Sequence, residues 1–116
     1  MRYIIKNTRN GQVVAGDAVL AANPFSRMRG LLGRAGLPPG EAIILRPASS
    51  IHTAFMRFAI DVVFLDKQNG VLKVVADLRP FRLSAARGAG SVIEMAAGAT
   101  AKLDLMQGDA LTITAR

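Results

Sequence analysis

The chain has 116 residues, 51% of them hydrophobic and 20% charged, with no cysteine and a single histidine. That length suits one domain, and surface scaling leaves about 6,000 Å² exposed after folding, so a real core fits inside. The composition excludes intrinsic disorder, a disulfide framework, thiolate chemistry and a multi-histidine metal site.

Fifteen Lys+Arg against eight Asp+Glu give a net charge of +7. Such a balance favours anionic partners, and weak non-specific binding to polyanions is expected. The basic residues are scattered, however. Arg27, Arg29 and Arg34 come nearest to a cluster, then Arg79, Arg82 and Arg87, and no aromatic series alternates with them as a base-stacking platform requires. No apolar run reaches the roughly 18 residues of a membrane span. Met1-Arg2-Tyr3-Ile4-Ile5 runs straight into Lys6-Asn7 without a basic-then-apolar leader, so the expected location is cytoplasmic.

In chain order, Arg2–Lys6 reads as a strand closed by Asn10-Gly11, a strong hairpin turn. The return strand covers Gln12–Ala15 and Ala18–Ala21, broken at Gly16-Asp17. Asn23-Pro24 is a helix start, and Phe25, Met28, Leu31 and Leu32 fall on one helical face over Asn23–Gly33. Leu37-Pro38-Pro39-Gly40 is a loop, and Glu41–Arg46 is a buried strand stopped by Pro47. Ile51–Phe58 and Ala59–Asp66 form the most apolar stretch. The turn Asp66–Gly70 then leads to a strand over Val71–Leu78. Ser91–Met95 and Ala110–Thr114 are further strands, with a short helix within Ala97–Leu105. Seven to nine short strands with few helices predict a mainly β domain, an antiparallel sandwich or partly open barrel with one or two short helices.

Ile51-His52-Thr53-Ala54-Phe55-Met56-Arg57-Phe58-Ala59-Ile60-Asp61-Val62-Val63-Phe64-Leu65-Asp66 resembles the signature of the Domain of Unknown Function 192 family. Arg27–Arg34, Val92-Ile93-Glu94-Met95 with Ala97-Gly98, and Gly108-Asp109-Ala110-Leu111 are similar to that family too, so the resemblance spans nearly the whole chain. It implies a small β-rich bacterial or archaeal domain and brings no particular activity with it.

The mixed chemistry of the chain gathers in the same central block. Were Ser50–Phe58 extended, His52 and Met56 would share one face, with Thr53 and Arg57 on the other. Asp61 stands inside an apolar run that reads as buried on both faces, so it needs partners. Arg57 on the same strand is roughly 13 Å away. The partner is therefore expected from Arg27 or Arg29, from His52, or from backbone amides. No Gly-x-Ser-x-Gly elbow accompanies Ser49, Ser50, His52 and Asp61, and no spacing supports a zinc site. The favoured expectation is a non-catalytic binding or accessory domain without cofactor or metal. Its cleft is expected near the His52–Asp61 strands, rimmed by His52, Thr53, Met56 and Arg57 with Arg29 and Asp61 in support, and it would take a small molecule, peptide or protein. The alternatives are a hydrolase-like enzyme using His52 and Asp61, and a basic RNA-binding module.

Overall fold

The computed structural model describes residues 1–21, 36–54 and 56–116. The helix expected over Asn23–Gly33, and with it Arg29, lies outside the described residues. At the Asn10-Gly11 turn, Gly11 takes a φ of 72° and joins β1 (Arg2–Asn7) to β2 (Val13–Ala21) as an antiparallel pair. Gly16-Asp17 does not break the return strand. The register slips there instead, between Tyr3↔Ala18 and Ile5↔Ala15, so the pair contains a bulge within one continuous strand.

The remaining strands are β3 (Glu41–Leu45), β4 (Ser50–His52), β5 (Ile60–Leu65), β6 (Val71–Leu78), β7 (Leu83–Ala85), β8 (Ser91–Ala96) and β9 (Leu111–Ala115). A single helical turn, α1 (Ala99–Lys102), precedes β9. Seven strands form one sheet in the order β6-β5-β8-β3-β2-β1-β9, and β4 pairs with β7 in a separate ribbon. One pair departs from the antiparallel expectation: β2 and β3 run parallel, from Asp17↔Glu41 to Ala21↔Leu45. The sheet curls until its two edge strands meet at one corner. There Gly70 bridges Ala110, Val71 N–H donates to Asp109 O at 2.8 Å, and Leu111 N–H to Asn69 O at 3.0 Å. The fold is a mainly β half-barrel, as the turn-punctuated short strands predict.

Both faces of the sheet are covered. Inside the curl lie Ile5, Ala18, Ile44, Val63, Ile93 and Leu111, drawn from six strands, with Leu105 entering from the segment after α1. A second core on the outer face joins Leu45, Val62, Phe64 and Val92 to Ile51 and Met56. The β4–β7 ribbon and its flanking turn therefore roof the outside of the sheet. Strand β5 lies between the two cores and is buried at all six positions, the double burial that its unalternating apolar run implies. No described helix is long and apolar enough to cross a membrane.

Candidate functional site

The central block is not one extended strand. Regular pairing stops after His52, and β5 begins only at Ile60. Thr53 is the reason. Its N–H donates to Arg82 O at 2.9 Å, while its own carbonyl accepts Phe81 N–H at 3.1 Å and Met56 N–H at 3.2 Å. Its hydroxyl donates to Arg79 O at 2.6 Å and accepts Arg82 N–H at 2.8 Å. Fully buried, Thr53 fastens the 79–82 turn to the end of β4. Replacing it with Val keeps the shape but strands these backbone groups. Thr53→Val is expected to cost about 1–3 kcal/mol in chemical denaturation and to quicken tryptic cleavage after Arg82.

Met56 is also buried, in the outer core, whereas His52 and Arg57 are exposed. The expected rim thus divides into two structural residues and two surface ones. Asp61 goes elsewhere. On β5 its neighbours Ile60 and Val62 face the outer core, which turns Asp61 with Val63 towards the inside of the barrel. The ribbon carrying His52 packs on the opposite face, so His52 and Asp61 are not brought together.

Asp61 is fully buried and accepts four hydrogen bonds. Oδ1 takes Asp77 N–H at 2.9 Å and Gly98 N–H at 3.1 Å. Oδ2 takes Thr100 N–H at 2.9 Å and the Thr100 hydroxyl at 2.6 Å. Of the partners expected, backbone amides supply three, and Thr100 adds a hydroxyl. Two local irregularities aim the donors. The β5–β6 register slips between Ile60↔Leu78 and Val62↔Val75, placing a bulge opposite Asp61, where Asp77 adopts a φ of 54°. Gly98 turns the chain into α1 with a φ of 91°, which a residue with a Cβ rarely adopts. Burial pushes the Asp61 carboxyl up, but the Thr100 hydroxyl and the three amides together hold it below its ordinary value.

Beside this anchor lies a cavity of about 440 Å³. Its walls come from the start of β2 (Val13, Val14), the turn into β3 (Gly40, Glu41), the end of β8 (Met95) and α1, and its charged side chains are Glu41 and Lys102. Gly98, which donates to Asp61, is part of the wall. None of His52, Thr53, Met56, Arg57 and Asp61 lines this cavity, so it does not stand where a cleft was expected.

Sequence reading passes over two carboxylates. Glu94 is fully buried on β8, level with Ile43 and Val62. Asp109, nearly as buried, sits in the Gln107–Asp109 turn and reads there as ordinary turn chemistry. It accepts Arg9 Nε at 2.6 Å on Oδ1, and Asn7 Nδ2 at 2.8 Å and Met106 N–H at 3.0 Å on Oδ2. Arg9, raised above its ordinary value chiefly by this bond, holds the Asp109 carboxyl down at about 2. The signal lay in a partner roughly a hundred residues away, which no local pattern encodes. Among the described residues no group of three His, Cys, Asp or Glu is placed to hold a metal ion.

The sequence pattern of the Domain of Unknown Function 192 family, described as Uncharacterized ACR, matches residues 5–113, nearly the whole chain. The chain belongs to this family. The Domain of Unknown Function 192 member described here is similar in fold to a protein of unknown function from Novosphingobium aromaticivorans DSM 12444. The TM-score is 0.79 at 21% identity, over 97% of this chain and 84% of that one. It is equally similar, at a TM-score of 0.79 and 19% identity, to a candidate transcription regulator from Sinorhizobium meliloti 1021, over 97% of this chain and 92% of that one. At those identities the likeness speaks for the shared half-barrel alone. No curated protein matches this Domain of Unknown Function 192 chain.

Proposed function

We propose that the protein is a non-catalytic binding domain whose ligand is a small, largely apolar molecule with an acidic head. The observation that carries this reading is the cavity between α1 and the starts of β2 and β3. Mostly apolar walls with a few polar groups are the usual form of a small-molecule site. Lys102, exposed on the wall, offers an ammonium to an anionic group, in keeping with the net charge of +7. The hydrolase alternative needs His52 and Asp61 within hydrogen-bond reach. Their opposite sides of the sheet, and the four bonds already made to Asp61, favour binding over that chemistry.

Titrating the protein with short-chain and aromatic carboxylates while recording amide NMR spectra tests the reading. Shifts are expected at Val14, Gly40 and 97–103, with affinity reduced about tenfold in Lys102→Glu through the loss of one charge-assisted contact. A panel that moves none of these amides, or moves them equally in Lys102→Glu, would sink the proposed site. Esterase, phosphatase, peptidase and glycosidase substrates should show no turnover above background. Turnover abolished by His52→Ala in a folded protein would put the hydrolase reading first.

A further inference from the structure

The outer face of the β4–β7 ribbon carries apolar side chains that no core uses. Leu83 is 76% exposed and Phe81, just before β7, is 69% exposed. Leu83 stands directly opposite His52, so both project from the same face of the ribbon, while Ile51 on the other face is buried. Phe81 has a φ of 60°, a left-handed conformation that is an outlier for a bulky aromatic. An exposed ring gains no packing in return for that strain, yet buried Thr53 fixes the conformation through the bonds to Phe81 N–H, Arg82 N–H and Arg79 O. Strain held this firmly at an exposed position is characteristic of a functional surface. Arg79 and Arg82 flank it in sequence. Both are exposed, and the acid nearest to Arg79 is the exposed Asp77, at 3.9 Å.

From this arrangement we infer that the Phe81–Leu83 edge of the ribbon docks the protein peripherally on an anionic lipid surface. The ring and the leucine enter the headgroup boundary, and the arginines meet lipid phosphates. The juxtaposition favours lipid over single-stranded nucleic acid. A stacking platform needs successive π-faces, whereas Leu83 has none, and a lipid boundary accepts both side chains. The charge of +7 complements a negative membrane surface and leaves neutral lipid unattractive.

Co-sedimentation of the whole chain with vesicles tests this. One set is phosphatidylcholine alone and the other is equal parts phosphatidylcholine and phosphatidylglycerol. Binding is expected only to the mixed vesicles, weakening as salt rises. The double variant Phe81→Asn/Leu83→Thr suits the backbone, because Asn tolerates a positive φ and Thr favours strands. It should unfold no earlier than the parent and partition about tenfold less or worse, since two apolar side chains no longer leave water. Arg79→Gln/Arg82→Gln should also lower partitioning and flatten its salt dependence. Three results would overturn the inference: no binding of the parent to mixed vesicles, undiminished binding by Phe81→Asn/Leu83→Thr, or Phe81-dependent binding of single-stranded RNA without vesicle binding.

Discussion

Asp61→Ala is expected to lower the free energy of unfolding by about 4 kcal/mol, measured in urea. The variant strands four donors inside the barrel, three of them backbone amides that cannot turn towards water. Against the roughly 5–15 kcal/mol of a typical domain, that loss approaches the threshold of folding. Two milder variants grade the effect. Asp61→Asn keeps one acceptor oxygen but places an amide against donors, and should cost about 2–3 kcal/mol. Thr100→Val removes only the hydroxyl bond of 2.6 Å, and should cost about 1–2 kcal/mol. A midpoint for Asp61→Ala close to that of the parent would mean that Asp61 does not anchor α1, and would return it to the list of functional candidates.

Asp109→Ala is expected to be the next most damaging, at about 2–3 kcal/mol, chiefly because it leaves the buried Asn7 amide without its acceptor. Arg9 contributes less, since it is 40% exposed and water can replace its partner. The same carboxylates govern acid behaviour. Asp109 is held at about 2, below its ordinary 3.8, and Asp61 is shifted in the same direction. A depressed carboxylate contributes stability that is complete above its unfolded pKa and disappears as pH falls through the folded one. Stability should therefore hold from neutrality to about pH 4 and then fall between about pH 4 and 2. In Asp109→Ala that acid-limb fall should be shallower. An identical pH profile in denaturant melts of parent and variant would contradict the assignment.

Strands bounded by strong local punctuation were legible in the sequence. Asn10-Gly11, Pro38-Pro39-Gly40 and Asn69-Gly70 each mark a real turn, and the double burial of β5 follows from its unalternating apolar run. What local pattern cannot show is geometry set by distant parts of the chain. Ile51–Phe58 has the composition of a strand, yet Thr53 finds its partners at Arg79–Arg82 and turns the chain away. The three-residue strand β7 pairs with an equally short β4, so the pair has little periodicity to display. Asp61 was recognisable as a buried carboxylate in need of partners. The identity of its donors depended on a bulge in β6 and a left-handed glycine before α1. For the proposed rim, proximity in sequence proved a poor guide. Asp61 and His52 fall on opposite faces of the sheet, and the cavity draws its walls from three separate stretches of the chain.

The strand order also imposes a schedule on synthesis. Strand β8 lies between β3 and β5, which have no hydrogen-bonded pairing with each other. As the chain leaves the ribosome, β1, β2 and β3 can associate early, as can the β5–β6 hairpin, but β3 and β5 each keep an open flank until Ser91–Ala96 emerges to join the halves. During that interval β3 and β5 both expose unpaired edges of the kind that recruit other chains. The late strand is thus a keystone, and its delay is the period in which nascent copies are most prone to associate.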